Sequence, residues 1–398
     1  MSDEAPRESR NVTVLVAAQA LGGASAPIII SLGGIVGQML STPDLATLPV
    51  SLYHLGVALS TLPAAWLMRH LGRRSAYLLG ATLGGIAGLL AAIAILQGWF
   101  ALFCAGTALA GFYGACVQSY RFAAADSVPA GSRPFAVSRV LMGGVVAAVI
   151  GPQLVIWTRD AMPQGPFAGS FLAQAGLALL AIPLLTFLRG IPAPARSAVQ
   201  QGRTALQIAR MPAFFVPVAA GMASYGSMSF LMTASPMAMV GCGHSVGEAA
   251  LGIQWHVLAM FAPSFVTGKL MARFGKRPVT LLGLVLIALS GVVALSGIGR
   301  DHFWGALVLL GLGWNLSFLG ATAMVVDGFE PGDRAKAQAM NDFLIFGSVA
   351  LSSFGAGRML SSSGWDSINQ AAIVAVVIAM VLILLQSGQC IKTALGSQ

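Results

Sequence analysis

Long apolar runs separated by short polar breaks dominate this chain. A helix needs about 20 apolar residues to cross the hydrocarbon core of a bilayer. Twelve stretches qualify: 12–39, 45–68, 75–97, 99–122, 137–158, 167–188, 212–240, 247–271, 278–298, 302–326, 338–360 and 367–388. Runs this long, without period-two alternation, predict helices that satisfy their own backbone groups in lipid and exclude a barrel. The first run follows Arg7 and Arg10 and passes through Ala24-Ser25-Ala26, which mimics a signal-peptidase site. Pro27 would directly follow the cut and the run continues to Met39, so a retained first helix is expected.

Composition agrees with this pattern. Of 398 residues, 57% are hydrophobic and 9% charged, against roughly 25% charged in a soluble domain. The net charge of +9 does not point to nucleic acid, because the basic residues lie singly or in short clusters between apolar runs. They read as topology signals. Arg69, Arg73 and Arg74 follow the second span, and Arg133 lies between the fourth and fifth. Arg189, Arg196, Arg203 and Arg210 surround the break after the sixth, and Arg273, Lys276 and Arg277 follow the eighth. Arg334 and Lys336 follow the tenth, whereas the other side holds little beyond Arg159, Arg300 and Arg358. By the positive-inside rule both termini are expected in the cytoplasm of a multi-pass inner-membrane protein. Cys104, Cys116, Cys242 and Cys390 are scattered without a CxxC pair, so no disulfide scaffold is expected.

The polar stretch 190–210 divides the chain into an expected six-helix half, 1–189, a linker, and a second half, 211–398. The halves repeat. Leu67-Met68-Arg69-His70-Leu71-Gly72-Arg73-Arg74 corresponds to Leu270-Met271-Ala272-Arg273-Phe274-Gly275-Lys276-Arg277, and each is followed by Leu-Leu-Gly. Asp126, Gly131 and Arg133 recur at almost the same offset as Asp327, Gly332 and Arg334. Parallel repeats of this kind are typical of secondary transporters, whose substrate site lies near the midplane. The expected fold is therefore an all-α membrane protein of about 12 transmembrane helices in two six-helix halves.

The seventh and eighth spans carry the most chemistry. Met228 and Met232 share one helix face, as do His256 and Met260. At about 1.5 Å of rise per residue, the first pair lies roughly 12–18 Å from the outer boundary and the second roughly 14–20 Å. Thioether and imidazole ligands suit Cu(I), and Met237, Met239, Cys242 and His244 would form stepping sites from the outer face. Methionines spaced in this way are also ordinary core packing. An ionisable His256 at mid-depth is a functional candidate, as a metal ligand, a proton carrier or a hydrogen-bonding substrate contact. His54 in the second span lies close to the repeat-equivalent position and is a cavity candidate. Asp126 with Arg133, and Asp327 with Arg334, read as gate or inter-helix salt bridges. Asp342 is either a coupling carboxylate or an acid at a helix N-terminus. Trp314-Asn315 is a candidate contact for an organic solute or a packing element, and Glu248 would gather cations at the outer mouth. Arg121 and Gln118 would meet an anionic solute, or Arg121 snorkels to the interface.

Over essentially its whole length the sequence resembles the major facilitator superfamily. Ala65 to Arg74 is similar to the G-x-L-x-D-R-x-G-R-R signature, with Ala65 in place of the first glycine and Arg69 in place of the aspartate. Within that superfamily, M-x-x-x-M followed by H-x-x-x-M resembles the CcoA-like copper importers. The resemblance implies copper as the transported substrate, carried inward by alternating access for haem–copper oxidase assembly, with Met228, Met232, His256 and Met260 as ligands. A related branch resembles riboflavin transporters, and riboflavin or another small organic solute is the alternative cargo. Neither reading requires an enzyme activity, a resident cofactor or a nucleic-acid partner. Membrane lipid and the solute are the expected partners of a monomer.

Overall fold

The computed structural model describes residues 4–191 and 203–395, so most of the expected 190–210 linker, residues 192–202, lies outside the described residues. Among the described residues every regular element is helical. In chain order these are α1 (Glu4–Gly22), α2 (Ser25–Leu40), α3 (Leu48–His70), α4 (Gly72–Gln97), α5 (Phe100–Asp126), α6 (Arg133–Thr158) and α7 (Ala168–Leu185). There follow α8 (Ala205–Ala209), α9 (Pro212–Gly241), α10 (Val246–Phe261), α11 (Ser264–Phe274), α12 (Lys276–Leu295), α13 (Arg300–Asp327) and α14 (Pro331–Leu395).

Among the described residues ten stretches are long and apolar enough to cross a membrane, and α10 with α11 forms an eleventh that bends by 42°. The sequence predicts one continuous helix over 247–271. The bend arises where Pro263, which has no N–H to give, interrupts the ladder. At its 65 residues α14 would extend about 100 Å if straight, far more than one crossing. It breaks at Gly364, whose φ of 79° and ψ of −179° are non-helical. Dividing it there gives twelve crossings, matching the expected number. Sharp helix ends have local causes too. Gly98, at φ 70°, ends α4 in a Schellman motif in which Trp99 N–H donates to Ala94 O and Gly98 N–H to Ile95 O.

Packing divides the chain into two compact units, Met1–Ala195 with Pro236–Phe261, and Arg196–Ser235 with Ala262–Gln398. The grouping puts the end of α9 and all of α10 with the first unit, a division distinct from that of the sequence repeat. Small residues bring helices close within each unit. A Cβ on Gly111 of α5 would lie 2.6 Å from backbone of Gly56 in α3, and one on Gly283 of α12 would lie 2.3 Å from Ser317 N in α13. Close approach of this kind is what holds helices together where apolar surface alone gives no advantage over lipid. Leu62, Trp157, Phe343 and Leu351 are more than 70% exposed, as lipid-facing side chains are.

Candidate functional site

In the second unit, four aromatic side chains from three helices converge. Tyr225 of α9 packs edge-on against Trp314 at 5.2 Å and Phe318 at 5.0 Å, both on α13, and against Phe346 of α14 at 5.9 Å. Trp314 and Phe318 are four residues apart, so they share a helix face; their rings stack at 5.2 Å with 15° between planes. Trp314 is 8% exposed, and its indole N–H is buried with no hydrogen-bond partner among the described residues. Most buried polar groups are paired, so this donor is an exception that calls for a reason. The neighbouring Asn315 is engaged differently. It accepts from Thr267 Oγ1 at 2.6 Å and donates to Ser264 Oγ at 2.7 Å, tying α13 to α11. Ser224 and Ser317 bond at 2.6 Å beside the cluster, joining α9 to α13.

The expected metal ligands are drawn from both units. Met228 and Met232 are buried on α9 within the second unit, where the adjacent Ser229 donates to Val349 O and Thr233 pairs with Ser353. His256, fully buried, and Met260 belong to the first unit. Two residues before His256, Gln254 accepts from Gln153 of α6 at 2.9 Å. The expected stepping residues have varied settings. A Cβ on Gly34 would lie 2.7 Å from the Met237 sulfur, so Met237 fills a notch in α2, and Met239 is fully buried. Cys242 is exposed. His244 is half-buried, and its backbone N–H caps Met239 O beside Gly243, whose φ is 90°. Glu248 closes a capping box on α10: its carboxylate accepts from Ser245 N and its own N–H donates to Ser245 Oγ. Among the described residues no group of three or more His, Cys, Asp or Glu is placed to hold a metal.

The charged pairs differ from expectation in their partners. Asp126 pairs with Arg73 at 2.5 Å rather than with Arg133, which is exposed at the start of α6. Asp327 pairs with Lys276 rather than with Arg334, which donates to Phe329 O. Both carboxylates thus reach back across a helix pair to the repeated loop motif. Sequence proximity favoured the arginines seven residues on, and the fold brings closer cations from over 50 residues away. Asp342 is the twelfth residue of α14 and exposed, so the expected placement at a helix N-terminus does not hold. His54 on α3 is half-buried; its Nδ1 is buried without a partner among the described residues, and its ring lies 5.5 Å from that of Tyr53.

A family profile described as the Major Facilitator Superfamily matches residues 12–262 and 218–389. This chain belongs to the major facilitator superfamily. It is 56% identical over 386 residues to the riboflavin transporter RfnT of Brucella anthropi, covering 96% of this chain and 97% of that protein. It is 30% identical to the transporter YdeG of Bacillus subtilis, covering 90% and 88% of the two chains. A mutant of the nucleoside transporter NupG shares the fold, with a TM-score of 0.70 at 14% identity, covering 94% of this chain and 98% of that one. The chain is therefore a multi-pass secondary transporter of a small solute, and not an enzyme.

The aromatic cluster is a candidate site that the sequence marks only at Trp314, since Tyr225, Phe318 and Phe346 fall in no motif. The spacing of Trp314 and Phe318 was the available signal. Flat rings with one unpaired donor offer a stacking surface and a hydrogen bond to a planar heteroaromatic solute.

Proposed function

We propose that this chain imports riboflavin across the bacterial inner membrane, by alternating access of the halves 1–189 and 211–398. The observation that carries the reading is the 56% identity to a riboflavin transporter along almost the full length of both chains. It favours the vitamin over copper, the cargo first suggested by the methionine and histidine spacing. The aromatic cluster supports the same choice. Isoalloxazine is a flat, electron-poor tricycle with carbonyl and ring-nitrogen acceptors. Tyr225, Trp314, Phe318 and Phe346 supply ring surface, and the Trp314 N–H supplies a donor. Stacking on aromatic side chains contributes about 1–3 kcal/mol per ring in comparable heteroaromatic ligands. In this reading the chain works as a monomer with both termini in the cytoplasm, and Met228 and Met232 act as packing on α9.

The test is uptake of radiolabelled riboflavin by a bacterial strain unable to make the vitamin. Cells expressing the chain should accumulate label and grow at low external riboflavin. Trp314→Ala should lower uptake about tenfold or more at equal membrane abundance, the loss expected for one stacking contact of the magnitude above. Trp314→Phe, which keeps a ring and removes the donor, should fall between. Copper uptake from well-expressed protein with no riboflavin uptake would reverse the assignment in favour of the metal.

A further inference from the structure

A cleft of about 480 Å³ opens at the junction of α3 and α4, lined by Gly72, Arg73, Arg74, Leu188, Arg189, Gly190 and Ile191. Its charge runs against the helix it adjoins. The first turn of α4 carries no acidic residue, and Leu71 at its N-cap makes no side-chain capping bond. The positive end of a helix favours anions, yet Arg73 and Arg74 are its second and third residues. On the far wall Arg189 is held in place by α1. Asn11 donates to Arg189 O at 2.8 Å and accepts from Arg189 N at 3.2 Å, while Arg10 donates to Phe187 O at 3.1 Å. Three arginines and, among the described residues, no Asp or Glu line the cleft.

Arg73 supplies the second observation. It is 4% exposed and gives one nitrogen, Nη2, to Asp126. Its Nε and Nη1 are buried with no partner among the described residues. A guanidinium presents its donors as a planar fork that matches phosphate oxygens in pairs. Uncapped backbone N–H groups at the start of a long helix add donors of the same preference.

We propose that this cleft binds a phosphate-bearing anion, held by Arg73, Arg74, Arg189 and the first turn of α4. The shared chemistry is a phosphate group with at least one free negative charge, and it has two sources: a soluble phosphate or the headgroup of an anionic lipid. The proposal is independent of the transported solute, since none of these residues belongs to the aromatic cluster.

The experiment uses the purified full chain in nanodiscs. In discs of neutral phosphatidylcholine, binding of radiolabelled inorganic phosphate is measured by equilibrium dialysis. In discs containing phosphatidylglycerol, lipid retained by the protein is counted by native mass spectrometry. Arg74 and Arg189 are exposed, so the double variant Arg74→Gln/Arg189→Gln should fold, which its thermal transition verifies. Saturable phosphate binding that weakens about tenfold or more in the double variant, the size expected for a lost charge-assisted bond, identifies a soluble anion. Phosphatidylglycerol retention that falls in the double variant, without phosphate binding, identifies a lipid headgroup. Arg277→Gln removes the cation at the position equivalent to Arg74 in the other repeat and should change neither. If wild type and double variant bind both probes equally, or Arg277→Gln weakens binding as much, the cleft is no anion site and the proposal fails.

Discussion

The repeated loop motif occurs twice with nearly the same backbone and different energetics. Each copy turns on a glycine at positive φ, Gly72 at 79° and Gly275 at 88°, and each then sends a cation to an aspartate at the end of a later helix. In the first copy Arg73 is 4% exposed against 40% for Asp126; in the second, Lys276 is 32% exposed against 62% for Asp327. The first is a buried cation paired with one carboxylate and lying beside the Tyr77 side chain, the second a solvated pair in which Lys276 also donates to Ala323 O. The repeat therefore preserved a geometry without preserving what that geometry contributes. A surface pair is worth about 0–1 kcal/mol. Removing the partner of a buried charge costs about 3–5 kcal/mol, because the charge left behind has no water to return to.

The sharpest way to break this comparison is to remove the carboxylate from each copy. Asp126→Asn should destabilise the protein by about 3 kcal/mol or more, read as thermal or denaturant unfolding in detergent, and Asp327→Asn by less than about 1 kcal/mol. Equal losses would show that burial of Arg73 does not govern the difference. A second substitution isolates the cause. If the stranded guanidinium is what costs, Arg73→Met in the Asp126→Asn background should restore most of the loss, to within about 1 kcal/mol of wild type, since an apolar side chain of similar length often replaces a buried ion pair at little cost. Continued instability of the double variant would instead point to packing around α4 and α5.

The same contrast shows which parts were legible in the sequence. The twelve spans were, because lipid demands about 20 apolar residues per crossing and leaves no other way to satisfy the backbone. The repeat was legible because glycine and clustered cations survive in both copies. Pairing was not. Asp126 and Arg133 lie close in sequence, whereas Arg73 reaches Asp126 only after α4 and α5 have packed. The capping role of Glu248 is legible as Ser245-x-x-Glu248, a spacing that its charge alone does not reveal. Aromatic convergence was harder still. In an apolar helix a ring facing lipid and a ring facing its neighbours look alike: Phe343 is 76% exposed and Phe346, three residues on, packs against Tyr225. The methionines of α9 are ambiguous for the same reason, since one helix in isolation does not reveal what its side chains meet.

The smallest effect concerns the second copy, where the comparison becomes quantitative. A double-mutant cycle on Lys276→Met and Asp327→Asn should give a coupling of at most about 1 kcal/mol, in the range of exposed ion pairs. Raising the salt to about 1 M shortens the screening length to about 3 Å, so that coupling should shrink toward zero. The corresponding cycle on Arg73→Met and Asp126→Asn, run in phosphate-free buffer, should be several times larger and less sensitive to sodium chloride, because bulk salt screens a guanidinium that is 4% exposed only weakly. An equally salt-sensitive coupling in the first copy would mean that water enters beside Arg73 in solution. Its two unpaired nitrogens would then be hydrated, and the buried charge would no longer explain the asymmetry between the repeats.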